Sequence, residues 1–333
     1  MPSSAIRTFT DPDEYAAAIR GTKAEMMVLG RGHFDAKHTR IELHRLRMQR
    51  FSDNLPRIAH SAAVTGRAII NFRIRSGPSM LAGGVELEPT NIMRHNDGQD
   101  AFQRSSGFAC WGSMSLPVEE MVSAGVAIAG CDLTPPRDML VVTPPTSAMA
   151  KLQRLHAAAA QLAENAPEII AHPEAAHGLE QALIKAVVDC LGDGNIREDK
   201  SAQRNHAIIM RRFRRTVEEN PDQTLYISEL CAAAGASDRS LRACCQEHLG
   251  MSPTRYLWLR RMHMARRALR MANPAAATVT EIATNYGFWE LGRFSVAYRS
   301  LFGELPSASL RQAPGDLQAQ KYPGSAWQFP ESA

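Results

Sequence analysis

At 333 residues, with 44% hydrophobic and 22% charged side chains, the chain has the composition of a globular protein long enough for two or more domains. It contains no run approaching the roughly 18 apolar residues that a membrane-spanning helix needs. The net charge of +4 is unevenly spread: residues 204–312 hold 16 arginines, nine acids and no lysine, a basic concentration of the kind nucleic-acid-binding segments carry.

The N-terminus MPSSAIRTFTDPDEY lacks a basic start and an apolar stretch, so no signal peptide is expected. Six cysteines with no CxxC pair point to reduced thiols in a cytoplasmic protein. Residues 1–146 read as a β-rich domain. In AIINFRIR, Ile70, Phe72 and Ile74 alternate with Asn71, Arg73 and Arg75, the pattern of a half-buried strand. In TRIELHRLRM, Ile41 and Leu43 alternate, then Leu46 and Met48, with a slip of phase between the pairs. GGVELEP and MLVVTPP are short apolar runs stopped by Gly or Pro; strands of this kind suggest a barrel or a sandwich.

Residues 147–191 predict two helices. Ser147 is the expected cap of the first, which aligns Leu152, Leu155, Ala159 and Leu162. The second begins near Pro173 and aligns Leu179, Leu183, Ala186, Val187 and Cys190. Stripes like these make either core or a homodimer face, and the segment is assigned as the dimerisation segment. The polar, Gly-containing GDGNIREDKSAQRN, 192–205, is expected to be a linker.

From residue 206 to 312 the pattern is helical and duplicated. Ile227, Glu229, Leu230, Cys231 and Gly235 match Val279, Glu281, Ile282, Ala283 and Gly287. After one inserted residue, Leu241, Cys245, Leu249, Gly250 and Pro253 match Phe294, Tyr298, Phe302, Gly303 and Pro306. A repeated supersecondary unit explains this, and a helix-turn-helix fits it. The apolar-then-small pair lets a second helix cross closely, the Gly turns the chain, and Leu241 or Phe294 plugs the angle. Thr278-x-x-Glu281 is a capping box for the second copy; the first has Tyr226 in the cap position. Between the copies, SPTRYLWLRRMHMARRALRMANP predicts a helix of about 30 Å, with Tyr256, Leu259, Met262, Ala265 and Leu269 at helical spacing. A rod of that length matches the roughly 34 Å between successive major-groove segments on one DNA face.

GMSPTRYLWLRRMHMARRAL and VTEIATNYGFWELGRFSVAYRSLFGELPSASLR resemble the linker helix and second helix-turn-helix signature of the AraC/XylS family of bacterial transcription regulators. The resemblance covers roughly residues 205–312. It implies an α+β multidomain protein with a β-rich, cupin-like barrel as sensor, a helical dimerisation segment, and an all-α domain of two helix-turn-helix units joined by a linker helix. It implies a sequence-specific, effector-responsive DNA-binding regulator. The expected partners are two adjacent major-groove segments of double-stranded DNA, RNA polymerase, a second copy of the chain and a small molecule; no membrane is expected.

The resemblance puts Ser237, Asp238, Arg239, Ser240, Arg242 and Ala243 at the DNA face of the first unit. In the second unit it puts Trp289, Glu290, Leu291, Gly292, Arg293, Val296 and Arg299 there. Arg239, Arg242 and Arg293 are the base-reading candidates, through guanine O6 and N7 or phosphate. Two departures stand out: Ala243 and Val296 occupy positions where family members often carry a polar or basic reader, and Gly292 lies inside a helix. The second unit is therefore expected to contribute shape and phosphate contacts more than base readout.

Other chemistry is set aside. Cys244, Cys245 and His248 invite a zinc reading, but the thiols fall at apolar helix positions. HPEAAH, 172–177, spaces its histidines five apart, unlike HExxH. His33, His38, His44 and His60 can gather in a barrel, yet no His-x-His accompanies them. Neither a metal nor a cofactor is expected, and no nucleophile with an identifiable base suggests an enzyme. A DNA-repair enzyme fused to this module would need a zinc cluster built from four cysteines, and only Cys110 and Cys131 precede residue 190. A constitutive DNA-binding regulator with a purely structural N-terminal half is the other alternative. Residues 313–333, polar and rich in Pro and Gly, are expected to form a loosely ordered tail.

Overall fold

The computed structural model describes residues 1–19, 22–63, 66–95, 100–136, 138–196, 201–220, 223 and 225–311; the expected tail, 313–333, lies outside them. The chain divides into two compact units, one ending at Leu257 and the other beginning at Trp258.

The first unit opens with β1 (Ser3–Phe9), α1 (Pro12–Ala18), β2 (Thr22–Val28), β3 (Ala36–Glu42), β4 (Arg47–Asp53), β5 (Arg57–Ala63) and β6 (Arg67–Arg73). It continues with β7 (Met80–Ala82), β8 (Val85–Glu86), β9 (Ile92–His95), β10 (Asp100–Ser105), β11 (Ala109–Pro117), α2 (Val118–Ala129) and β12 (Leu140–Thr143). Then come α3 (Thr146–Asn165), α4 (Pro167–Ala171), α5 (Pro173–Gly192), β13 (Asn195–Ile196), α6 (Ser201–Glu219), α7 (Ile227–Ala234) and α8 (Asp238–Leu249). Helix α9 (Pro253–Met271) runs across the division, and α10 (Val279–Asn285), α11 (Leu291–Phe302) and α12 (Pro306–Arg311) complete the second unit.

The strands make two antiparallel sheets. One has the order β1-β3-β4-β11-β6-β9-β12-β13, the other β2-β5-β10-β7-β8. Side chains on a strand alternate between faces, and the register of the larger sheet shows the two sets separately. Ile41, Met48, Met114 and Ile70 lie side by side on β3, β4, β11 and β6 and face the helices. Leu152, Leu183, Val187 and Cys190 of α3 and α5 join them in one apolar core. The opposite phase, His38, Phe51, Trp111 and Arg73, faces inward. There His38 stacks on Phe51 at 4.8 Å and Phe51 on Trp111 at 4.6 Å.

Between the sheets, Arg57 at the start of β5 bonds Asp53 at the end of β4, 2.8 Å apart, with both side chains at most 1% exposed. Burial raises the Asp53 carboxyl, opposed by the Arg57 guanidinium. A buried pair of this kind is strongly destabilised by removal of one partner. Asp11 caps α1, its Oδ1 accepting from the Asp13 and Glu14 amides.

Several expectations change. The expected strand ends at Arg73, with Ile74 and Arg75 beyond it and Arg75 exposed; within it both faces are buried, Asn71 and Arg73 included, because helices cover one side of the sheet and the second sheet covers the other. The slip of phase after Leu43 is the β3–β4 turn, closed by the Leu43 amide donating to the Leu46 carbonyl. Ser147 is not the cap of α3; the helix starts at Thr146 after Pro145, with no side-chain cap. The stripes of α3 and α5 pack into the chain's own core, so these residues do not form an exposed dimer face. The expected linker, 192–205, is structured at both ends: Asn195 and Ile196 pair with β12, and α6 starts at Ser201. Its middle, 197–200, lies outside the described residues.

Candidate nucleic-acid interface

In the first unit, α6, α7 and α8 share a core of Phe213, Leu230, Ala234, Leu241, Cys245 and Leu249. Leu241, the expected plug, is completely buried. Gly235 ends α7 at φ +65°, and a Cβ there would also meet Arg212 Nη1 at 2.8 Å. The left-handed backbone is what favours glycine at this turn. Ser237 then caps α8, its hydroxyl accepting from the Ser240 amide at 3.1 Å. The Tyr226 position is better specified than its residue type implies, because Glu229 Oε2 accepts from the Tyr226 amide at 2.8 Å.

This arrangement turns one side of α8 outward. Ser237, Asp238, Arg239, Arg242 and Ala243 are exposed and Ser240 is half-buried. Arg242 Nε lies 2.9–3.0 Å from the two carboxylate oxygens of Asp238. Arg242 makes a further contact only by giving up or sharing that partner. Cys244 and Cys245 face the core, and burial pushes their thiols up to about 11 and about 12. His248 is likewise buried and held down to about 4. These three groups belong to the helix's inner side.

The same build recurs in the second unit. Thr278 Oγ1 accepts from the Glu281 amide at 3.1 Å, the expected cap. Gly287 takes φ +75°, and Phe294 plugs the angle at 3% exposure. Its ring packs on Phe288 at 4.9 Å and Tyr298 at 5.5 Å. Behind it, the buried Tyr298 hydroxyl and Ser309 Oγ are 2.6 Å apart, and Ser309 donates to Glu304 at 2.7 Å. This tie joins α11 to α12.

Helix α11 begins at Leu291, so Trp289 lies in the turn and Glu290 in the cap position. Trp289 and Val296 are 78% and 73% exposed, too far out to serve the core. Gly292, Arg293 and Arg299 are exposed and Leu291 is half-buried. Arg293 Nε sits 2.9 Å from Glu290 Oε2, repeating the arginine–acid arrangement of α8. A Cβ on Gly292 would meet nothing within 4 Å, so neighbouring atoms do not demand this glycine.

Comparison with known proteins bears on the same segment. A family model described as a helix-turn-helix domain matches residues 230–312. Over 101 residues the chain is 41% identical to the XylDLEGF operon transcriptional activator of Pseudomonas putida, covering 30% of this chain and 32% of that one. Residues 230–312 form a helix-turn-helix domain of the AraC/XylS family.

The AraC/XylS-type domain is also 41% identical over 98 residues to the probable thc operon regulatory protein of Rhodococcus erythropolis, covering 29% of this chain and 30% of that one. These matches span about a third of the length of the curated relatives. Among solved structures, the AraC-like transcriptional activator CuxR is similar at a TM-score of 0.40 and 15% identity, over 80% of this chain and 96% of that one. ToxT from Vibrio cholerae, with unsaturated fatty acid bound, is similar at 0.28 and 10%, over 89% and 97%.

Sequence reasoning overlooks two parts of this surface. Arg211 and Arg215 add exposed cations on α6, although Arg215 is engaged by Glu219 at 2.7 Å. Beside α11, Trp258, Arg261, Phe288, Trp289 and Arg293 line a hollow of about 310 Å³, with Arg261 over the Phe288 ring at 5.4 Å. The linker helix pattern marks only its apolar residues, and Arg261 is legible there only as charge.

Proposed function

We propose that the chain is a sequence-specific DNA-binding transcription regulator whose two helix-turn-helix units read two adjacent major-groove segments. One observation carries the reading: α8 and α11 each pack their plug inward and turn an arginine-bearing side to solvent. Arg239 and Arg242 supply base or phosphate contacts in the first unit. In the second, Arg293 and Arg299 supply mainly phosphate contacts, with Trp289 against sugar or a thymine methyl. RNA polymerase and a second copy of the chain are its protein partners, the protein acts in the cytoplasm, and it carries out no catalysis.

The β-rich half acts as the sensor. Support comes from a cleft of about 290 Å³ in the first unit, lined by Lys37, Arg50, Arg75, Phe108, Cys110 and Glu164 among others. Its cations outnumber its one carboxylate, and Lys37 pairs with Glu164, so an anionic small molecule is the fitting effector. Coupling to DNA follows from packing. Met27, Ile58 and Phe102 of the smaller sheet share one core with Phe213, Leu241 and Tyr256. An effector in the cleft that binds two arrangements of the β-rich half unequally shifts the population of the first helix-turn-helix.

The test is selection of the purified full chain against fragments of its own genome over a salt series. Recovery of a few sites with paired motifs is expected. Equal retention of all fragments, weakening only with salt, would refute the specific-regulator reading.

A further inference from the structure

We propose that His44, His177 and Glu180 form a binding site for a divalent transition-metal ion, zinc foremost. The site lies in the first unit, apart from both the basic cleft and the helix-turn-helix. His44 is in the β3–β4 turn; His177 and Glu180 are three apart on α5, the spacing that puts two side chains on one helix face.

Glu180 organises the cluster. Its side chain is 3% exposed, and Oε1 accepts from the Arg45 amide at 2.6 Å and the Leu46 amide at 2.8 Å. These bonds fix the carboxylate and leave Oε2 directed at His44, 3.7 Å from Nδ1. The His44 and His177 rings meet edge to face, centroids 6.0 Å apart. One ligand atom from each of the three residues lies within 4.8 Å of the other two. The neighbouring cation Arg45, next to His44 in the chain, is engaged by Glu120.

Two imidazoles and a carboxylate are a donor set for zinc and its neighbours, whereas magnesium and calcium prefer all-oxygen sites. With bonds of about 2.0–2.2 Å, a tetrahedral ion holds its ligands about 3.4 Å apart, so the three groups must close by roughly 1 Å. Both histidines are exposed and rotate without disturbing the core. Backbone amides on the ligating carboxylate are the kind of outer support that tunes metal sites. Water takes the fourth position. A bound ion ties the β3–β4 hairpin to α5, whose contact residues stand 135 apart in sequence.

The experiment uses untagged full-length protein, stripped with chelator and titrated with Zn²⁺ by calorimetry. Co²⁺ is titrated in parallel by visible absorption. One ion per chain is expected, with Tm raised by about 5 °C at a hundredfold excess over Kd. His44→Ala, His177→Ala and Glu180→Gln are each expected to weaken binding about tenfold or more, while His172→Ala, at an exposed histidine beside Glu174, leaves it unchanged. Circular dichroism verifies that each variant is folded, and the histidine variants alone suffice if Glu180→Gln unfolds. The intense tetrahedral Co²⁺ bands must appear in the parent and vanish in the histidine variants. Absence of saturable binding by the parent chain, or parent-like affinity in His44→Ala and His177→Ala, would overturn the proposal.

Discussion

Replacing Phe294 tests the duplicated build. The ring is 3% exposed and packed between Phe288 and Tyr298. Truncation to alanine removes a buried aromatic and leaves a cavity that α10 and α11 close only in part, at a cost of about 3–5 kcal/mol. The position is shared with Leu241, which is fully buried in the first copy, so leucine is a competent plug for this angle. Phe294→Leu should therefore cost only about 1 kcal/mol. Hydrogen exchange of the α11 amides isolates this unit from the rest of the chain. At 1.4 kcal/mol per tenfold, Phe294→Ala should lower protection by about a hundredfold or more, and Phe294→Leu by about fivefold. Protection within about fivefold of the parent in Phe294→Ala would refute the plug role.

Gly292→Ala should stabilise α11 by about 0.5–1 kcal/mol, because the added Cβ meets open space; a fall in α11 protection would show that the glycine's freedom is needed. Glu290→Gln frees Arg293 and removes an anion from the proposed DNA face, so DNA affinity at low salt should rise about two- to fivefold by anisotropy; unchanged affinity would place Arg293 away from the backbone. His95, His156 and His248 are buried and held down to about 4, about 3 and about 4. Each folded value lies below the unfolded one near 6.5. Their contribution is thus complete above about pH 6.5 and declines as pH falls, at about 1.4 kcal/mol per pH unit for each group. His156 Nε2 donates to the Gln49 carbonyl at 3.1 Å, a bond glutamine can imitate. In His156→Gln, urea unfolding between about pH 6.5 and 4 should show a slope smaller by about that amount; an unchanged slope would contradict the assignment.

The C-terminal build is legible because local signals agree: the glycines, plugs and caps of α7–α8 and α10–α11 each constrain the chain within a few residues. The N-terminal half is legible only in outline. Alternation locates β6, but periodicity does not reveal that Asn71 and Arg73 are covered from across the sheet. The stripes on α3 and α5 are visible, yet stripe residues look the same whether a neighbouring sheet or another chain buries them. Helix α2 escapes a reading by stripes, although VEEMVSAGVAIAG carries acids in its first turn and a left-handed Gly130 at its end. HPEAAH is unpromising on its internal spacing, while His177 pairs with His44 through a turn that no local pattern connects to it.

Whether one chain reads two successive grooves is decided by hydroxyl-radical footprinting on a selected genomic site. Two protected regions are expected on one DNA face, about 10 base pairs apart for each bound chain. Arg239→Ala should weaken one region and Arg293→Ala the other. A single protected region, or the same loss from both variants, would contradict the two-groove reading.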